Sequence, residues 1–275
     1  MEDLKQAINW DVLRNPIYSI INGQETLIEG YNALVRNDNN ETLSVMKSSY
    51  TPTYNDEFLE RVEKISDISK MSLSGFTEFK GGRKVLAFLK NTTDIVKIGN
   101  HTLEDYMIIG NSFDGSSGFF VGTSTTLIRC TNQFSQISKM LNIRHTKNAN
   151  VKAEEIYAYL DFYFNQRKEL FETFERWGDK TVNPQITEKL IKRVLDIKED
   201  KISTRKERQR ILLRANIKSE MDDLGENLWG LFNGVTKYTT HSITSKNKTF
   251  GNVFGTAANL NKKAFEFSSE IFETV

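Results

Sequence analysis

Four polar side chains are of types that do hydrolytic chemistry: Asp114, Asn132, His145 and His241. Gathered in one pocket, a carboxylate, an amide and two imidazoles could activate water and steady a developing charge, as a hydrolase or nuclease requires. Each also has an ordinary structural account. Asp114 stands in Phe113-Asp-Gly-Ser-Ser117, where an aspartate folds back on its own backbone as an Asx turn. The two histidines serve equally well as hydrogen-bonded structural residues. Gly115-Ser-Ser-Gly118 lacks the Gly-x-Ser-x-Gly spacing of a nucleophile elbow and leads into a strand rather than a helix. Lys80-Gly-Gly-Arg83 lacks the spaced glycines and the Gly-Lys-Ser/Thr end of a P-loop, so it reads as a hairpin turn. With one cysteine, Cys130, and three histidines, a zinc site would need carboxylates to complete it. Cys130 follows an apolar strand and reads as a buried thiol. The sequence points away from an enzyme, and no metal or other cofactor is expected.

The second chemistry on offer is phosphate neutralisation. Lys and Arg crowd the stretch 198–218, which includes Arg205 and Arg208. Arg144, His145, Lys147 and Lys152 form a second patch, Arg83 and Lys84 lie at a hairpin tip, and Arg129 ends a strand. Most such runs are solvated faces, here with Asp200 or Glu207 to pair with. A basic stripe facing a groove would instead attract a phosphate chain. Phe113, Phe119, Tyr163 and Tyr238 lie near these patches and are of the type that stacks bases, although core packing is the commoner fate of such rings. Bulk charge gives no guidance, since 37 Lys and Arg stand against 36 Asp and Glu, for a net charge of +1.

These residues need elements to hold them. Ile17–Ile21, Tyr31–Arg36 and Thr42–Met46 read as strands, the last two joined by the turn Asn37-Asp-Asn-Asn40; residues 1–16 read as a short helix or arm. Asn55 is expected to cap a helix whose apolar stripe is Phe58, Leu59, Val62 and Ile65. Phe76–Phe79 and Lys84–Lys90 read as a hairpin, and Tyr106–Ile109, Phe119–Val121 and Thr125–Arg129 as further strands. Gln133–Leu141 has helical spacing in Phe134, Ile137, Met140 and Leu141. From Val151 the period is helical: a long helix to Trp177, a second over Ile186–Leu195 starting near Gln185 or Thr187, and a basic third over Lys198–Ser219. A fourth follows over Met221–Thr240, then a polar loop over Ser242–Asn252 and a last helix over Ala257–Ile271. Gly230 and Gly234, four apart, suit a close helix approach. The order predicts an α+β fold, with a β-rich part over residues 1–150 and a helical part over 151–275 packed on it.

At 275 residues and 38% hydrophobic, the chain can bury a substantial core. A single cysteine excludes an internal disulfide framework and suits a reducing compartment. No stretch approaches the ~20 apolar residues of a membrane span, and Met1-Glu-Asp-Leu-Lys-Gln6 lacks the apolar core of a signal peptide. A cytoplasmic protein with no membrane partner is expected.

Five phrases in series carry a resemblance. They are Gly81-Gly-Arg83, Ser112-Phe-Asp-Gly-Ser116, Arg129-Cys-Thr-Asn132, Arg144-His-Thr-Lys-Asn148, and Trp229-Gly-Leu-Phe-Asn-Gly-Val-Thr-Lys-Tyr238 followed by His241. In order and spacing the chain resembles the phage/plasmid-like protein family (domain of unknown function nine-three-two) from about Tyr31 to Leu260. It departs from the family at Gln133, where the pattern often reads Cys-x-Asn-Thr. The resemblance implies a phage or mobile-element source and carries no catalytic residue. The order of elements is also similar to the core of RecT/Red-beta-type annealing proteins, an analogy of fold. The reading that follows is a single-stranded DNA-binding and annealing protein of recombination. It would act without ATP, assemble as a homo-oligomer and neutralise phosphates with Arg83, Lys84, Arg129, Arg144, His145, Lys147, Arg205 and Arg208. The alternatives are an interaction protein that blocks a host defence factor, with a host protein as partner, and the hydrolase set out above.

Overall fold

Asn-Gly turns a β-hairpin readily, because both central residues of a type I′ turn need φ above zero. In the computed structural model, which describes residues 8–92, 96–98, 101–127, 132–145, 149–198, 203–244 and 247–274, Asn22 and Gly23 take φ of 52° and 80°. They join β1 (Val12–Ile21) to β2 (Gln24–Arg36) in antiparallel register, Ile21 opposite Gln24 and Val12 opposite Arg36. The part of residues 1–16 read as a helix or arm that can be seen is therefore largely strand. β3 (Thr42–Lys47) pairs with β2 only from Tyr31 to Val35 and completes a three-stranded sheet.

The helix α1 (Asn55–Ser69) buries Phe58, Leu59, Val62 and Ile65, as its spacing predicts. Its cap differs from expectation. Tyr54 is the N-cap and offers no side-chain hydrogen bond. Asn55 is inside the helix: its N–H donates to Asp11 Oδ1 at 3.1 Å and its side chain to the Trp10 carbonyl at 2.9 Å. A carboxylate from a distant loop does the capping.

A second sheet follows. β4 (Ser72–Phe79) and β5 (Lys84–Lys90) form the expected hairpin. Next come β6 (Val96–Ile98), β7 (His101–Ser112), β8 (Phe119–Leu127) and β9 (Asn132–Ile143). The order is β4-β5-β7-β8-β9, with β6 paired to β7. β9 corrects the helix expected over Gln133–Leu141. At its start the burial alternates, Asn132 and Phe134 buried and Gln133 and Ser135 less so, which is the period of a strand. The Gln133 N–H donates to Thr240 Oγ1 at 3.1 Å and its carbonyl accepts from Asn261 Nδ2 at 3.3 Å. Partners more than a hundred residues away satisfy this backbone, and local apolar spacing cannot compete with them.

The rest is helical: α2 (Ala149–Gly178), α3 (Pro184–Val194), α4 (Thr204–Leu224), α5 (Leu228–Lys237), a π-helix (Tyr238–Ser242), α6 (Lys248–Phe254) and α7 (Thr256–Thr274). Three boundaries differ from expectation. α3 is capped by Asn183, whose side chain accepts from the Ile186 N–H, with Pro184 in its first turn. Gly225, at φ 101°, ends α4 and splits the helix expected over Met221–Thr240. α6 takes up the end of the expected polar loop, from Lys248 onward, with Asn247 as its cap. The fold is α+β, β-rich first and helical after.

The chain forms two compact units, each built from separated segments. The first comprises residues 1–93, 106–123 and 137–163, and the second residues 94–105, 124–136 and 164–275. β7, β8 and β9 each contribute residues to both.

Candidate functional site

In the first unit, two of the quoted phrases meet at one end of the second sheet. Lys84 opens β5 opposite Phe79 of β4 and Ser112 of β7, so the turn Lys80–Arg83 and the turn Phe113–Gly118 lie side by side. Lys80, Gly81 and Gly82 all take positive φ, at 54°, 69° and 92°. Glycine is required at 82: a Cβ there would stand 2.6 Å from the Trp10 ring. The Phe113 N–H donates to the Arg83 carbonyl at 2.8 Å, and Ser44 Oγ donates to the Phe113 carbonyl. On the other flank, Gly118 packs so closely on the Ile143 carbonyl that a Cβ would not fit. Arg144, exposed, follows directly. Arg83 and Arg144 therefore flank the same turn.

Behind that turn lies Lys84, only 4% exposed. Its Nζ donates to Ser116 Oγ and lies 3.8 Å from Asp114 Oδ1. The Ser116 N–H donates to the same carboxylate oxygen at 3.0 Å, so Asp114 forms the expected Asx turn. Burial lowers the Lys84 pKa, Asp114 opposes it and Lys80 adds to it. Burial alone would raise Asp114, but the Ser116 hydroxyl and N–H, with Lys84 and Lys80, hold its carboxyl below the usual 3.8. Among cations near this turn, Lys80 is exposed and Arg83 half-buried. Arg83 has one guanidinium contact, to the Thr42 carbonyl at 3.5 Å, and its Nε is buried without a partner among the described residues. Glu41 reaches the same place, its carboxylate against Gly81.

His145 is also inside. The Thr53 N–H lies 3.3 Å from Nδ1, and the Tyr50 ring is centred 5.2 Å from the imidazole. Arg61 Nη1 donates to Thr53 Oγ1 at 3.2 Å, and Asn111 Nδ2 to the Thr53 carbonyl at 2.9 Å. The Tyr50 hydroxyl donates to the Ser112 carbonyl at 3.0 Å. Burial, and then the Arg61 guanidinium, push the His145 pKa down to about 4, against an opposing pull from the Ser112 backbone. The ring is neutral at pH 7 and carries no charge for a phosphate.

In the second unit, Asn132 is 3% exposed and donates to Glu220 Oε2 at 3.0 Å and to the Asn233 carbonyl at 3.5 Å. Glu220, 1% exposed, accepts from Lys237 Nζ at 2.9 Å. Asn252 Nδ2 donates to Gln133 Oε1 at 2.7 Å, and Thr239 Oγ1 to Asn261 Oδ1 at 2.8 Å. This network ties the start of β9 to α4, α5, the π-helix, α6 and α7. A Cβ on Gly234 would stand 2.3 Å from Ile217 Cα, so the expected close helix approach is that of α5 on α4. Around it, Phe174, Trp177, Trp229, Phe232 and Phe134 pack ring on ring; each buries enough apolar surface to contribute roughly 2–3 kcal/mol. A cleft lined by Thr239, Ile243, Lys248 and Asn252 opens beside the π-helix.

The basic stretch on α4 is partly consumed by pairing. Arg210 donates to Glu188 at 2.8 Å, Arg214 pairs with the same carboxylate, and Lys206 donates to the Leu195 carbonyl. Arg205 and Arg208 stay exposed, with no ion-pair partner among the described residues.

Of the eight expected phosphate contacts, four lie on the first unit at or near the turn end of its sheet: Arg83 and Arg144 toward solvent, Lys84 and His145 inside. The surface role expected of Lys84 and His145 is thus corrected, because burial removes one ammonium and discharges one imidazole. Arg205 and Arg208 are exposed on the second unit. Arg129 and Lys147 lie outside the described residues, as does Cys130. In the hydrolase set, Asp114 and His145 belong to the first unit and face different partners, Ser116 with Lys84 and Thr53. Asn132 and His241 belong to the second unit, where Asn132 is taken up by Glu220 and Asn233 and His241 is exposed on the π-helix. Among the described residues no group of three His, Cys, Asp or Glu is placed to hold a metal, and no helix is long and apolar enough to cross a membrane. Sequence reasoning missed Ser116 as the partner of Lys84, the Tyr50–Thr53–Arg61 shell, and Glu220. Only Glu220 had a local signal: it follows Leu213 and Ile217 at helical spacing, on the buried face.

A mixed sheet-and-helix protein whose quoted phrases lie at turns and buried polar joints is the class this geometry defines. The chain belongs to the DUF932 family, a domain of unknown function, whose pattern matches residues 42–265. No curated protein and no solved structure matches it.

Proposed function

We propose that this protein binds single-stranded DNA through its phosphate backbone at the turn end of the first unit, and anneals complementary strands without ATP in the recombination of a phage or other mobile element. The observation that supports this reading is the convergence of Lys80, Arg83 and Arg144 around the Phe113–Gly118 turn. Asp114, the carboxylate within that turn, is already satisfied by Lys84 and Ser116. Backbone contacts leave base edges free to pair, which annealing requires. The test is fluorescence anisotropy with a labelled single-stranded oligonucleotide over a range of salt. Three cationic contacts give a slope of log K against log salt of about −2, at ~0.7 per phosphate, and Arg144→Glu reduces its magnitude by about 0.7 or more. Absence of binding at micromolar protein in low salt refutes the reading.

A further inference from the structure

Eight of the twelve large hydrophobic side chains left exposed among the described residues lie on β1, β2 and β3. The concentration is greatest where the β1–β2 hairpin runs past β3. There Tyr18–Ile21 pair only with Gln24–Leu27, and β3 reaches no further than Tyr31. The register puts Tyr18, Ile20, Leu27 and Glu25 on one face of this arm, since Tyr18 is opposite Leu27 and Ile20 opposite Glu25. Tyr18 is 55% and Ile20 77% exposed. A two-stranded ribbon with bare apolar faces is marginal alone in water. From Ile17 to Tyr31 its only charges are Glu25 and Glu29, both negative.

The complement lies on α4. Once Arg210, Arg214 and Lys206 are engaged, the outward face presents Arg205, Arg208, Ile211, Leu212 and Lys218 at helical spacing. Ile211 is 59% and Leu212 44% exposed, between cations on either side along the helix. Aliphatic side chains offer nothing to a phosphate chain, and a single-strand groove would carry aromatic rings there. They do suit an arm that brings Ile20 and Leu27 with two carboxylates.

We propose that the β1–β2 arm of one copy of this chain docks on the outward face of α4 of a second copy. Tyr18, Ile20 and Leu27 cover Ile211 and Leu212, while Glu25 and Glu29 meet Arg205 and Arg208. The two surfaces differ, so each copy gives an arm and receives one, and the copies either close as a reciprocal pair or a larger ring or extend into a filament. This assembly uses none of Lys80, Arg83 and Arg144 at the turn end; it gives Arg205 and Arg208, expected from the sequence to contact phosphates, a protein partner instead, and it stands whether or not the oligonucleotide binds at the turn.

Sedimentation velocity on the full chain, with far-UV circular dichroism to confirm folding, tests it through a charge swap. The variant Glu25→Arg/Glu29→Arg has a basic arm and a basic α4; Arg205→Glu/Arg208→Glu has both acidic. Each alone should associate more than about ten-fold more weakly than the wild type. Mixed, they should associate again, because each arm now finds an oppositely charged α4. A wild type that stays monomeric at every concentration overturns the proposal, as does association indifferent to either reversal, or mixing that restores nothing. If Arg205→Glu/Arg208→Glu abolishes oligonucleotide binding and leaves association intact, α4 is a nucleic-acid surface and the proposal falls.

Discussion

Replacing His145 with asparagine should flatten the acid side of the stability profile of the first unit. The imidazole is 7% exposed, and burial together with Arg61 lowers its pKa to about 4. In the unfolded chain the same group titrates near 6.5. Between those values the unfolded chain binds a proton that the folded chain does not, so stability must fall as pH falls through this window. At 1.36 kcal/mol per unit, the displacement amounts to ~3 kcal/mol, most of it lost by about pH 4.5. That is a large part of the 5–15 kcal/mol that holds a domain together. Asparagine keeps an acceptor for the Thr53 N–H and has no titrating group, so the variant starts less stable but loses little more over the same range. The carboxylates whose pKa is lowered, Asp38, Asp114, Glu188 and Asp196, weaken the fold only further into acid. Asp11, raised by burial, acts in the opposite sense. The comparison is therefore the difference between wild type and variant, by urea denaturation at stepped pH, followed at Trp10, which lies in this unit. Parallel losses from pH 7 to about 4.5 would mean that His145 is not a buried neutral ring, and the packing of Tyr50, Thr53 and Arg61 around it would be wrong.

Lys237→Met should cost about 2–3 kcal/mol in urea denaturation, because it removes the cation paired with Glu220 at 1% exposure and leaves Asn132 as a donor to that carboxylate, and Glu220→Gln on that background should recover part of the loss. Gly234→Ala should cost about 2–3 kcal/mol, since its new methyl meets the Ile217 backbone, whereas Gly178→Ala, with nothing within 4 Å, should be neutral or slightly stabilising in thermal melts. Arg144→Glu should reduce the salt slope of oligonucleotide binding by about 0.7 or more, as read by anisotropy. The mixed arm and α4 reversals should restore association lost in each alone, as read by sedimentation.

Local chemistry was enough to read the strands on either side of Lys80–Arg83, the stripe of α1 and the long helix from Val151, because in each the apolar period and the turn residues agree. It failed at β9, where Phe134, Ile137, Met140 and Leu141 have helical spacing but Thr240 and Asn261 take the Gln133 backbone. It failed at α1 for the same kind of reason, since the capping carboxylate comes from Asp11. For the site, sequence identified which cations cluster but not which are buried. Lys84 and Arg83 are adjacent, yet Lys84 opens β5, whose first four residues are all buried, and is turned to Ser116, whereas Arg83 in the preceding turn stays half outside. Exposure is decided by which face a sheet covers, and that depends on strands distant in sequence.

The phrases that resemble the family account for folding more than for chemistry. Gly82 makes room for the Trp10 ring, and Gly118 for the Ile143 carbonyl. Asn132 and Asn233 meet at a buried joint beside Glu220. Residues engaged in this way cannot also meet a ligand without breaking the structure that holds them. The surfaces proposed for function lie elsewhere: the cations at the turn end, the outward face of α4, and the arm. The arm lies before residue 42, outside the range matched by the family pattern. Membership of the family alone therefore implies no arm-mediated assembly. If the charge swap succeeds, assembly depends on residues 17–31, which lie outside the matched range, together with α4, which lies within it.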